Sequence, residues 1–201
     1  IPGMSADILN LDGQKVSTNE MGELVMRKSS IGLTKSLWND DKRYIDNYWS
    51  VIKDYWVHGD LASRDADGHW YLHGRSDDTI KVSGKRIGPS ELESVIIKSG
   101  KAKEVAAVGI PDENKGSKII LSIVPAENND QKESFFEDLV IKDLGKSFKP
   151  DKVIFVKDLP KTRNMKIMRR VIKSCLANQD PGDLSTLLNP ESVEEIRSHA
   201  I

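Results

Sequence analysis

The sequence predicts an α+β protein: a β-hairpin-rich first third, then a small three-stranded sheet carrying helices. Three observations predict it. Alternating apolar segments punctuated by Asp-Gly pairs fill the first 75 residues. After Arg75 the rhythm changes to short continuous apolar runs interleaved with amphipathic stretches. Their order, β-α-β-β-α-β-α, suits a small sheet with helices packed on it. The polar stretch Ser76-Asp77-Asp78 sits where the patterns change, so domains are expected at 1–76 and 77–201.

The elements follow in order. Residues 6–11 alternate, Asp12-Gly13 supplies a tight turn, and GELVMR at 22–27 reads as a paired strand. Residues 40–49 place Ile45, Tyr48 and Trp49 at helical spacing behind Asp40 and Asp41. Strands at 56–64 and 69–73 flank Asp67-Gly68, the strongest two-residue hairpin signal in the chain. The first third is thus part of an antiparallel barrel or sheet. Residues 79–82 form a short strand, with Gly84 and Gly88 bracketing a turn. Pro89-Ser90 opens a helix with Leu92, Val95, Ile96 and Ser99 on one side. The runs 105–110 and 119–124 are too short for helices and read as buried strands. Phe135, Phe136, Leu139, Val140 and Leu144 line a second helix, and 153–156 is the third strand. Helices are expected at 166–177 and 193–199.

Composition narrows the function. The 201 residues are 38% hydrophobic and 30% charged, an ordinary globular balance. Thirty basic residues against 31 acidic ones leave a formal charge of −1, so no global field favours nucleic acid or an anionic membrane. One cysteine, Cys175, excludes an internal disulfide framework and suits a reducing, cytoplasmic setting. No apolar run approaches a membrane span. The opening IPGMSADILNLDG has no leader pattern and no initial methionine, as in a processed or cloned segment.

Four segments carry possible chemistry. In YWVHGD at 55–60, Asp60 after a glycine offers two acceptor oxygens suited to paired ribose hydroxyls, though alone it reads as a turn residue. In GRSDDTIKVSGKRIGPSELES, Arg75 and Arg86 present planar donor forks suited to ribose and phosphate oxygens. Ser83-Gly84 there allows close backbone approach to a ligand. Taken singly, these are surface charges and a turn. In LPKTRNMKIMRRVIK, six of fifteen residues are basic, a nucleic-acid or targeting patch or, in isolation, a solvated helix face. The tail GDLSTLLNPESVEEI reads as a loop and a helix begun by Asn189-Pro190.

In this order and spacing the segments resemble the acyl-CoA synthetases of the adenylate-forming superfamily. YWVHGD is similar to that family's ribose-binding motif, GRSDDTIKVSGKRI to its hinge motif, and PKTRNMKIMRR to its catalytic-lysine motif. WNDDKRYIDNYWS and DLSTLLNPESVEEI resemble the acetyl-CoA synthetase branch. The resemblance implies an AMP-forming ligase: acid and ATP give acyl-AMP and pyrophosphate, and CoA then displaces AMP. It implies that Asp60 and Arg75 bind the nucleotide, Asp77 is the hinge, and Ser83 and Gly84 line the pantetheine route. Arg86 would meet phosphate, and Lys166 would be the adenylation lysine. Mg²⁺ would accompany ATP in the full-length enzyme.

Departures from the family pattern are also visible. Asn164-Met165 replaces the usual Ser-Gly before the lysine, so the loop loses its glycine. Ile141, beside Lys142, stands where an arginine toward CoA phosphates is usual, and Ser99 where a histidine near a proposed metal is usual. No protein metal site is therefore expected. No glycine-rich phosphate loop and no acid pocket occur in the sequence. The resemblance thus implies that residues 1–76 end a large AMP-binding domain, that 77–201 form a mobile lid, and that the isolated chain is inactive. It also implies an exposed apolar patch on the first third, where missing strands would pack. Propionyl- or medium-chain specificity, and a stand-alone non-catalytic CoA- or nucleotide-binding protein, are the alternatives.

Overall fold

A computed structural model describes residues 5–28, 31–127 and 130–201. The chain divides into two compact units, Ile1–Asp77 and Asp78–Ile201.

The first unit is an antiparallel sheet in the order β1-β2-β3-β4. Its strands are β1 (Ala6–Leu9), β2 (Gly22–Met26), β3 (Trp56–Arg64) and β4 (Trp70–Arg75). The β3–β4 turn is longer than the two-residue form expected. The Asp65 amide donates to the His69 carbonyl at 3.1 Å, and Gly68 takes φ +89. Asp67-Gly68 still supplies the left-handed residue that closes this wider turn. Helix α1 (Asp41–Tyr48) begins at Asp40, whose carboxylate caps the Arg43 amide. It does not bury Ile45, which is 50% exposed; Tyr44 is the buried residue. The reason is aromatic packing. Tyr44 lies against Tyr48, and Tyr48 stacks on Trp56 of β3 with ring centroids 5.3 Å apart. Trp70, Tyr71 and Leu72 are exposed along the edge strand β4, Trp70 and Leu72 on one side of the sheet and Tyr71 on the other.

The second unit contains a hairpin and a three-stranded sheet. Strand β5 (Ile80–Val82) pairs with β6 (Lys85–Ile87) through the two-residue turn Ser83-Gly84. The expected turn between Gly84 and Gly88 is thus occupied by a strand. The sheet has order β7-β8-β9, with β7 (Ala102–Asp112), β8 (Gly116–Pro125) and β9 (Lys152–Phe155). β7 and β8 are antiparallel; β8 and β9 run parallel and are joined through α3 (Glu133–Leu144).

Both faces of this sheet are covered, which explains its unbroken apolar runs. Val105, Ala107, Leu121, Ile123 and Val153 face a core shared with the hairpin, α3 and α2 (Pro89–Lys98). Ala106, Val108, Ile110, Ile120 and Ile154 face α4 (Arg169–Leu176) and α5 (Glu191–Arg197). Gly109 admits the hairpin: a Cβ there would stand 2.9 Å from Ile80 Cγ2. Helix α4 begins three residues later than the pattern at 166–177 suggests, because backbone pairing holds Lys166–Ile167 as an extended loop. Among the described residues no helix is long and apolar enough to cross a membrane.

Candidate active site

In the first unit, β3 leaves its ladder at His58–Asp60. Its pairing with β2 passes from Val25↔Val57 to Glu23↔Leu61, so extra β3 residues bulge out. Gly59 takes φ +83 there, and a Cβ on it would lie 2.8 Å from an Arg75 guanidinium nitrogen. The glycine is needed for the backbone conformation and for Arg75 to cross it. Asp60 Oδ2 lies 2.8 Å from His58 Nδ1, and Oδ1 lies 3.6 Å from Arg75 Nη1. Arg75 also donates to Asp77 Oδ1 at 3.1 Å and to the His58 carbonyl at 3.3 Å. Asp60, Arg75 and Asp77, which the sequence singles out separately, therefore form one cluster. Arg75 and Asp77 border an open cleft of about 300 Å³, whose wall includes Asn47, Tyr48 and His58. His58 and Gly59 were not marked from sequence, although both stand inside the YWVHGD motif.

In the second unit the Ser83-Gly84 turn has φ +49 and +81, the mirror-type turn that suits a two-residue hairpin. The Ser83 amide donates to the Lys115 carbonyl at 2.8 Å, which pins the tip. A Cβ on Gly84 would meet nothing within 4 Å, so its outer face is open. Arg86 is exposed on β6 and stands directly opposite Lys81, also exposed. Two like charges across one hairpin are mutually unfavourable, and an anion would relieve them.

Lys166 lies on a loop, not on a helix. The Thr162 amide donates to the Lys166 carbonyl at 2.9 Å, and the Lys166 amide donates to Thr162 Oγ1 at 3.2 Å. An antiparallel bridge joins Lys161 to Ile167. Met165, in the place of the usual glycine, nevertheless adopts φ +61.

The six basic residues of this segment are not the single solvated helix face of the isolated reading. Lys161 is buried, with Nζ 2.6 Å from both Glu104 and Asp158 carboxylates. Burial lowers its pKa, but bonds and charges from Asp158 and Glu104 outweigh that and hold it above the ordinary lysine value. Burial likewise raises Asp158, but bonds from Lys161, the Leu159 amide and Asn189 leave it below the ordinary aspartate value. Arg169, opening α4, makes a two-pronged pair with Glu93 of α2 at 2.8 and 2.6 Å. Arg170 donates to the Pro181 and Asp183 carbonyls. Lys166 is exposed, and no carboxylate lies within ion-pair distance of it among the described residues. Lys161 and Arg169 are thus paired with carboxylates, whereas Arg163, Lys166 and Lys173 are exposed with no carboxylate within ion-pair distance among the described residues.

Asp65, Asp67 and His69 are the described residues close enough to share a metal, but Asp65 is occupied by the His69 amide and the Tyr71 hydroxyl.

Residues 91–166 match the AMP-binding enzyme C-terminal domain. The chain is 39% identical over 203 positions to an acetyl-coenzyme A synthetase of Methanothrix thermoacetophila, covering 98% of this chain and 31% of that protein. It is 40% identical over 211 positions to one of Helicobacter pylori, covering 98% of this chain and 32% of that protein. The chain thus spans about three tenths of the length of the curated relatives it matches. The solved acetoacetyl-CoA synthetase from Streptomyces lividans shares the fold, with a TM-score of 0.85 at 22% identity, over 98% of this chain and 30% of that one.

Proposed function

We propose that this chain, whose residues 91–166 match the AMP-binding enzyme C-terminal domain, is the C-terminal part of an AMP-forming acyl-CoA ligase that activates acetate. In the first half-reaction a carboxylate oxygen of the acid attacks the α-phosphorus of ATP and pyrophosphate leaves. In the second, the CoA thiol attacks the acyl carbon, AMP leaves, and the thiol proton passes to solvent.

The observation that carries this reading is the Lys166 loop, whose backbone is held by Thr162 and by the Lys161–Ile167 bridge while the Lys166 side chain stands exposed. An ammonium on a fixed loop is a point charge suited to the moment when negative charge shifts between the acid and the α-phosphate. Asp60 receives the ribose hydroxyls, and Arg75, already bound to its carboxylate and to Asp77, seats the nucleotide. Asp77 serves as the hinge between an adenylating body ending near residue 76 and a lid from residue 77 onward. The open face at Gly84, with Ser83, lines the pantetheine path, and Arg86 meets phosphate in the first half-reaction. Mg²⁺ enters with ATP, and no residue of this chain is assigned to it. The buried Cys175 thiol suits a reducing, cytoplasmic setting.

The two faces of the lid are tested by separating the half-reactions in the full-length ligase. Lys166→Ala is expected to reduce acetate-dependent pyrophosphate exchange by about 10²–10³ and to retain thioester formation from supplied acetyl-AMP. Gly84→Leu is expected to do the reverse, since its side chain would fill the open face of the hairpin tip. Equal damage to both halves by both variants would contradict the assignment.

A further inference from the structure

The Lys166 loop is bonded on its other side by the C-terminal tail. The Leu188 amide donates to the Lys161 carbonyl at 2.8 Å, the Arg163 amide donates to the Thr186 carbonyl at 3.3 Å, and Thr162 bridges Leu187. The backbone of 161–163 is therefore bonded on both sides, by Lys166–Ile167 and by 186–188. Behind them lies Asn189, only 7% exposed. Its Oδ1 accepts from the Lys161 amide at 3.0 Å; its Nδ2 donates to Asp158 Oδ2 at 2.7 Å and to the Leu159 carbonyl at 2.8 Å. Its own carbonyl accepts from Ser192 of α5 at 2.6 Å. At the other end of the tail, Arg170 of α4 holds the Pro181 and Asp183 carbonyls.

We propose that the tail, through Asn189, is the positioning element for Lys166: Asn189 fixes the strand that fixes the lysine, without itself touching substrate. This rests on the reading that Lys166 serves adenylation. The physical case is that three of the four hydrogen bonds the Asn189 side-chain amide can make go to residues 158–161, inside a buried site where a lost partner is costly. A lysine ammonium on a flexible stem stabilises a developing charge only if its backbone anchor is fixed, and displacements of about 1 Å are enough to slow catalysis. An otherwise inconspicuous tail thereby becomes part of the first half-reaction.

The test uses Asn189→Leu, which keeps volume and removes the bonds, and the milder Thr162→Val, which removes the hydroxyl that accepts from the Lys166 amide. In the 201-residue chain, hydrogen exchange at the Thr162 and Leu188 amides should accelerate about tenfold in Asn189→Leu, with the amides of β8 unchanged. In the full-length ligase, both variants should lower kcat for acetate-dependent pyrophosphate exchange, by about tenfold for Asn189→Leu, with KM for ATP little altered. Thioester formation from supplied acetyl-AMP should persist, which also establishes that the variants fold. Lys166→Ala is run beside them. If it abolishes exchange while Asn189→Leu and Thr162→Val exchange at the parental rate, the positioning role is wrong and the adenylation role stands. If Lys166→Ala itself exchanges normally, the adenylation role fails and the positioning role with it. Equal loss of both half-reactions in Asn189→Leu would make Asn189 a general structural residue and would also overturn the proposal.

Discussion

Met165 stands immediately before Lys166 with φ +61 and a side chain 60% exposed. From sequence, the absence of the usual glycine there implies a loop with less conformational freedom, yet the backbone takes the left-handed form a glycine would allow. A residue with a Cβ holds that form at a cost of roughly 1–2 kcal/mol, whereas glycine loses roughly 0.5–1 kcal/mol of chain entropy on folding. Met165→Gly should therefore leave the second unit equally stable or stabilise it by up to about 1 kcal/mol, measured by urea unfolding followed by circular dichroism. A loss of more than about 1 kcal/mol would mean that the Met165 side chain contributes packing that its exposure does not suggest. The resemblance of local motifs marked Lys166, Asp60, Arg75 and Arg86, which taken singly read as surface charges and a turn residue. It did not mark Glu104, Asp158 or Asn189, whose contacts with Lys161 join positions distant in the chain. No local pattern records such pairings.

At the scale of elements, strands β7 and β8 were legible as short unbroken apolar runs because both faces of their sheet are covered, and helices α2 and α3 because their periodicity matches the face each buries. Two elements were not. β6 has three residues, of which only Ile87 is buried, too few for an alternation to register. The start of α4 was placed too early because 166–168 has helix-forming residues, while tertiary pairing with 161–162 overrides local preference. What anchors the true start is Arg169, paired with Glu93; Glu93 Oε1 also accepts the Ala107 amide at 3.0 Å, so α2, α4 and β7 meet at one carboxylate. Glu93→Gln keeps the shape and removes the charge, and should destabilise the second unit by about 1–3 kcal/mol. The four tryptophans, Trp38, Trp49, Trp56 and Trp70, all precede Asp78. The unfolding transition seen by circular dichroism should therefore shift, with the tryptophan fluorescence transition unmoved. A shift of both, or of neither, would contradict the role given to this pair.

For the whole molecule, the proposed reading assigns ribose contacts to the first unit and the lysine and pantetheine face to the second. Under that proposal the phosphate cradle and the acid pocket would lie in the adenylating body, roughly the remaining seven tenths of such a ligase. The two-unit division follows from a change of rhythm that is plain in the sequence near Arg75. General electrostatics from one exposed lysine cannot replace the positioning of ATP and acid that such a body provides. The most direct measurement is therefore acetyl-CoA formation by the rigorously purified 201-residue chain given ATP, Mg²⁺, acetate and CoA. The account predicts no turnover above the uncatalysed background. Turnover that is present in the chain and abolished by Lys166→Ala would contradict it, because the chain would then hold a complete active site.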